Sequence, residues 1–199
     1  MKYVNLFLKH FSKTPAFSVK DVSRFLLYNR AGKTYPKRFI NNMVKRGKIF
    51  KISKGVYTIY SNTEVIGFAF SPFYYGLTYA LSYYNIWEER SNPVILTTRT
   101  VRIGQREAMN ANVSIFRLPR KLFFGYTMVK GNLFYYPVSD LEKTFIDVVY
   151  FNINLRKETI ERLLSKLNKQ KLHKYLSICP EHLRREVLDL YGNLTSSAG

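Results

Sequence analysis

One stretch of the chain carries side chains whose chemistry is easy to name. Thr34, Lys37, Arg38, Asn41, Asn42 and Lys45 fall together when successive residues are turned by about 100°, and Phe39, Ile40, Met43 and Val44 fall on the opposite side. Arg and Asn can donate in pairs to base edges, while Lys and small hydroxyls reach phosphate oxygens. The polar side contains no acid. An ordinary amphipathic helix has the same apolar stripe. The one-sided charge is what points to an anionic partner.

A second set, Asp140, Glu142 and Asp147, gathers near the start of another helical pattern, with Lys143 beside it. Three carboxylates invite a reading as a degenerate metal-dependent nuclease. Capping, attraction to the helix N-terminus and a salt bridge to Lys143 account for the same residues without catalysis, and that reading is favoured. Asp21, Asp140, Asp147 and Asp189 never form Asp-x-Asp, so a two-metal site has no evident ligand set. His10, His173 and His182 lack metal-ligand spacing, and the single Cys179 cannot build a zinc cluster. No Gly-x4-Gly-Lys-Ser/Thr loop occurs. The sequence thus predicts no catalytic site, no metal and no cofactor.

The first set needs elements to hold it. Tyr3, Leu6, Phe7 and Phe11 have helical spacing ahead of Pro15. Ser18 precedes Val19, Val22, Phe25 and Leu26, with Asp21 standing where a capping box usually has Glu or Gln. Thr34 is the expected cap of the third helix, Pro36 is tolerated in its first turn, and Gly47 suits the left-handed position beyond its end. Lys48–Ile52 and Val56–Tyr60 read as strands around a Ser53-Lys54-Gly55 turn. Three helices followed by a basic-tipped hairpin is the order of a winged helix-turn-helix. The predicted double-stranded-DNA surface is Thr34, Tyr35, Lys37, Arg38, Asn41, Asn42, Lys45, Arg46, Lys48, Lys51, Ser53, Lys54 and Tyr57, with Tyr57 equally readable as a packed residue at the base of the wing.

Charge supports this partner. The 199 residues carry 32 Lys+Arg against 13 Asp+Glu, a net charge of +19. Residues 1–60 hold 14 of the bases and one acid, Asp21, for a net +13; the rest of the chain nets +6. Such a surface fits nucleic acid or an anionic membrane. No apolar run approaches the ~20 residues a spanning helix needs, and Met1–Leu6 does not read as a signal peptide. One cysteine fits a reducing cytoplasm.

Strand pattern and basic charge both stop at Ser61-Asn62-Thr63, which sets the expected domains at 1–61 and 62–199. In the second, Tyr74–Asn85 reads as a helix, Pro93–Thr98 and Val113–Leu118 as strands, and Phe123–Val129 with Leu133–Val138 as a hairpin. Ser139-Asp140-Leu141-Glu142 reads as a capping box opening a helix to about Tyr150, and helices near Leu155–Asn168 and Pro180–Leu190 follow. The expected class is α+β: a winged helix, a mixed sheet with helices, and C-terminal helices.

Three segments carry a resemblance. They are Met43–Ile49 with Ser53–Tyr57, Pro72–Tyr84, and Ser139–Asp147. Their order and spacing resemble the AbiEi family, the antitoxin and transcriptional-regulator component of abortive-infection toxin–antitoxin systems. The resemblance implies an autorepressing winged helix, a second domain linked to antitoxin activity, and a separately encoded nucleotidyltransferase-like toxin. A homodimer would suit a palindromic operator. Other classes remain open from the residues alone: an RNA-binding protein, or a protein–protein antitoxin with secondary DNA binding.

Overall fold

A computed structural model of the chain describes residues 3–32, 34–89 and 91–196. The class is α+β. The N-terminal part runs α1 (Val4–Phe11), β1 (Phe17–Ser18), α2 (Val19–Tyr28), α3 (Tyr35–Lys45), β2 (Phe50–Ser53) and β3 (Val56–Thr58). Its three strands form an antiparallel sheet in the order β1-β3-β2. Phe7 sits at the centre of the helical core, with its ring 4.7–5.6 Å from those of Phe11, Phe17, Phe25 and Phe39. Val22, Leu26, Ile40, Met43 and Ile49 complete that core.

Local signals explain where these helices begin and end. The Ser18 hydroxyl accepts from the Asp21 amide at 3.3 Å, and the Ser18 amide donates to the Asp21 carboxylate at 2.8 Å, a reciprocal capping box. Beyond α3, Gly47 takes φ +61°, the Gly47 amide donates to the Val44 carbonyl, and the Lys48 amide donates to the Met43 carbonyl. This Schellman arrangement satisfies carbonyls that the helix leaves open. Thr34 does not cap α3 as expected. Its ψ of −11° is already helical, its side chain makes no capping bond, and Pro36 has no N–H to donate to it.

After a 3-10 helix, Thr63–Phe70, come β4 (Phe73–Tyr75), α4 (Thr78–Tyr83), β5 (Val94–Thr97), β6 (Gly104–Ala108), β7 (Ala111–Arg117), a short 3-10 turn (Arg120–Leu122), β8 (Tyr126–Lys130), β9 (Tyr135–Ser139) and the helices α5 (Leu141–Tyr150), α6 (Lys157–Ser165), α7 (Lys169–Leu176) and α8 (Glu181–Ser196). The strands form one mixed sheet in the order β6-β7-β5-β4-β9-β8, parallel at β5·β7 and β4·β9. The expected helix over Tyr74–Asn85 is shorter and begins at Thr78; Phe73–Tyr75 is instead a strand buried on both faces. The expected Leu155–Asn168 helix ends at Ser165, and α7 follows as a separate element.

Alternation along these strands divides two cores. Tyr74, Val94 and Leu96 point to one face, where α5, α7 and α8 supply Phe145, Leu172 and Val187. Phe73, Tyr75, Ile95, Val113 and Ile115 point to the other, where Val65, Ile66 and Phe70 of the long 3-10 helix cover them. Ile52 of β2 is 4% exposed and belongs to this second core, which Val56 and Tyr60 also touch. The residue-61 break therefore falls between β3 and the 3-10 helix, while apolar packing runs across it.

Candidate nucleic-acid interface

Burial of α3 sorts its residues. Pro36, Phe39, Ile40 and Met43 are inside, and Lys37, Arg38, Asn41, Asn42 and Lys45 are exposed. The buried residues lock the helix onto α1 and α2, so the polar row is presented from a rigid element. Val44, expected on the buried side, is 39% exposed and lies at the margin of the polar face. Among the described residues, the five exposed polar side chains of α3 form no ion pair with an acid.

Thr34, Arg46 and Lys48 are exposed at the two ends of the helix. Tyr35 lies at the inner edge of the predicted surface. It is half-buried, with its ring 5.8 Å from both Tyr3 and Phe39, so it serves the α1–α3 packing. Tyr57 is likewise half-buried and packs against the helical core.

The hairpin β2–β3 closes through Lys54 and Gly55, and Gly55 takes φ +77°. The Gly55 carbonyl accepts from the Val19 amide at 3.0 Å, tying the wing to the start of α2. Lys51 and Lys54 are exposed and Ser53 is half-buried. Ile52 points the other way, into the second core, so the wing is braced rather than free. A separate cleft of about 960 Å³ between α1 and α2, lined by Leu6, His10, Phe25 and Tyr28, takes in none of the α3 polar row.

The carboxylate set resolves into a buried polar network. Asp140, not Ser139, is the N-cap of α5: its Oδ1 accepts from the Lys143 amide at 2.8 Å, while Ser139 is held in β9. The Tyr175 hydroxyl donates to Asp140 Oδ2 at 2.7 Å, and Lys171 Nζ lies 2.9 Å from that oxygen and 3.1 Å from Glu142 Oε2. The Asn168 amide donates to Glu142 Oε1 at 2.8 Å, which joins α7 to α5. Lys143 and Asp147 form an ion pair with both side chains fully buried, and the Tyr74 hydroxyl donates to Asp147 at 2.8 Å.

Electrostatics follow from this arrangement. Burial raises the Asp147 carboxyl above its usual value even though Lys143 and Tyr74 pull it down. Burial, reinforced by the Asp147 charge, pushes the Tyr74 phenol well up. Burial depresses the Lys171 ammonium, but Asp140 and Glu142 outweigh it and hold the group above the usual lysine range. The Tyr175 phenol is pushed up to about 12 by burial and its bond to Asp140. All three carboxylates are thus engaged by protein groups, and among the described residues no group of three His, Cys, Asp or Glu is placed to hold a metal.

No helix of the described residues is long and apolar enough to cross a membrane. No protein-family model matches the sequence, and no curated protein matches it. Among solved structures, the chain is similar to the crystal structure of the RV2827C protein from Mycobacterium tuberculosis, with a TM-score of 0.65 at 12% identity over 100% of this chain and 78% of that one. At that identity the likeness is one of fold.

Proposed function

We propose that the protein is a sequence-specific double-stranded-DNA-binding regulator of transcription. The observation that carries this reading is the exposed, acid-free row Lys37, Arg38, Asn41, Asn42 and Lys45 on a helix locked into a winged-helix core. In this arrangement α3 enters the major groove with Arg38 and Asn41 at base edges and Lys37 and Lys45 toward phosphates. Lys51 and Lys54 contact the flanking backbone, and Thr34, Asn42, Arg46 and Lys48 extend the polar rim.

The resemblance to AbiEi extends the proposal to a cytoplasmic, autorepressing antitoxin acting with a separately encoded nucleotidyltransferase-like toxin, as a homodimer on a palindromic operator. A mobility-shift comparison of the duplex upstream of its own gene with a scrambled duplex and a matched RNA tests the core reading. Preference for the upstream duplex supports it; preference for RNA or no discrimination overturns it. Co-purification with the product of the neighbouring gene tests the antitoxin extension.

A further inference from the structure

The two edges of the large sheet differ in chemistry. β6 forms one of them; it carries Arg106 and Glu107, and it starts at Gly104 with φ +100°. Charge and irregular backbone are devices that keep an edge strand from pairing with another chain. β8 forms the other edge, and its Tyr126-Thr127-Met128-Val129 run holds no charge before Lys130. Four of its five residues are exposed, so the strand is open along nearly its whole length.

Pairing with β9 sets which backbone groups of β8 are open. The register puts Tyr126 opposite Ser139 and Lys130 opposite Tyr135. Just beyond its two ends, the Asp140 amide donates to the Gly125 carbonyl and the Gly131 amide to the Phe134 carbonyl, both at 2.9 Å. Hydrogen-bonded pairs alternate along an antiparallel ladder. Thr127 and Val129 therefore bond to β9, and the amides and carbonyls of Tyr126, Met128 and Lys130 turn outward. The side chains of those three residues share one face with Tyr135. It is the face of the helical layer, because the Tyr126 ring stacks on Tyr74 with centroids 5.5 Å apart. The helices leave this end of it uncovered: Tyr126, Met128 and Tyr135 are 40%, 57% and 59% exposed.

We propose that β8 pairs antiparallel with β8 of a second copy across a two-fold axis at Met128, joining two six-stranded sheets into one. This supplies the contact for the homodimer of the reading above and rests on that part of it alone. The strand is its own complement. With Met128 opposite its own copy, Tyr126 faces Lys130 on either side, and every outward-facing residue exchanges both backbone bonds with its opposite. Sliding one strand by two residues leaves fewer such pairs. This symmetry singles out a second copy over an unrelated strand. Charge agrees with it. Two chains of net charge +19 repel each other, so they approach best along an uncharged edge. Lys130, the one cation of the strand, then meets the Tyr126 ring instead of another lysine. The exposed rows of Tyr135, Met128 and Tyr126 from the two copies adjoin on one face and leave water together.

The test follows assembly of the full chain without DNA. Sedimentation velocity over a concentration series compares wild type with Met128→Lys, which sets two like charges opposite each other. Wild type is expected to dimerise, and the variant to dimerise roughly tenfold or more weakly with an unchanged circular dichroism spectrum. Cysteine crosslinking reads the register in a Cys179→Ser background. A short bismaleimide is expected to join two chains through Met128→Cys, whose Cα atoms would lie about 5.5 Å apart at the axis. It is expected not to join them through Gln105→Cys, exposed on the opposite edge. Should Met128→Lys fail to fold, the crosslink decides: linkage through Met128→Cys supports the pairing, and linkage through Gln105→Cys or through neither overturns it. A dimer that Met128→Lys leaves intact also overturns the pairing but keeps the homodimer. Wild type that stays monomeric overturns both, whatever other chain the edge takes. DNA binding is read separately, by the mobility shift of the upstream duplex.

Discussion

The amide of Val19, at the start of α2, donates to the carbonyl of Gly55 in the wing turn at 3.0 Å. One hydrogen bond thus ties the helix that precedes α3 to the hairpin that follows it. Gly55 holds φ +77°, and a Cβ there would meet only Val19 Cγ2 at 3.9 Å, an ordinary contact. The penalty for a side chain is therefore backbone strain, not collision. Gly55→Ala is expected to lower stability by about 1–2 kcal/mol, read as a lower urea midpoint with an unchanged m-value. A neutral substitution would mean that the turn relaxes into another conformation.

The proposed DNA contacts of α3 and the wing make separable predictions. Arg38→Ala is expected to cost roughly 1–3 kcal/mol of binding and to relax preference at one base position. Lys54→Ala is expected to weaken all duplexes alike and to reduce the salt slope by about 0.9. Val44→Ala leaves folding stability within about 0.5 kcal/mol, because that side chain is 39% exposed. Competition binding with single-base operator variants, alongside urea unfolding, distinguishes these outcomes.

Lys143 and Asp147 are 0% exposed and compensate each other inside the core. Lys143 Nζ also lies 5.1 Å from the centroid of the Phe124 ring. Lys143→Met strands a buried carboxylate with only the Tyr74 hydroxyl for company, and is expected to cost about 3–5 kcal/mol. Pairing it with Asp147→Leu restores part of that loss, since no uncompensated charge remains. A double-mutant cycle by urea denaturation measures the coupling; additive losses would remove the interaction from the account.

Asp21 supplies a pH-dependent term. Its carboxyl is held below the usual aspartate value chiefly by the Ser18 amide, against partial burial, with the Ser18 hydroxyl and Arg24 assisting. A group that ionises more readily in the folded chain than in the unfolded one adds stability above its unfolded pKa and loses it as pH falls through the folded value. The stability difference between wild type and Asp21→Asn is therefore expected to be full at neutral pH and to shrink between about pH 5 and 3. Urea titrations at a series of pH values follow it, and a difference that grows on acidification would reverse the assignment.

What could be read in advance follows the range of the forces involved. Ser18 with Asp21, and Gly47 beyond α3, are local signals, and the structure has them where the sequence predicts. Phe73–Tyr75 deceives because a strand buried on both faces loses its alternation and reads as part of the next helix. β6, Gly-Gln-Arg-Glu-Ala, shows no strand pattern because an edge strand is largely exposed, and only its pairing with β7 reveals it. Ser139 and Asp140 are both capable caps; pairing with Tyr126 in the sheet takes Ser139 and leaves the task to Asp140. The exposed row on α3 was legible from period and charge, whereas the placing of Arg106 beside Lys51 and Lys54 depends on a sheet formed by residues far apart in sequence.

The burial of Ile52 in the second core has a geometric consequence. A wing anchored on its inner side is a bracket, and a bracket transmits orientation. With α3 seated in a groove, the large sheet would stand at one azimuth around the duplex axis, and the α5–α8 layer would face outward on the far side of that sheet. Two copies on neighbouring sites would then meet or miss each other according to the helical phase between the sites. Inserting about five base pairs, half a turn of a ~10-bp repeat, would swing one copy to the opposite side of the DNA.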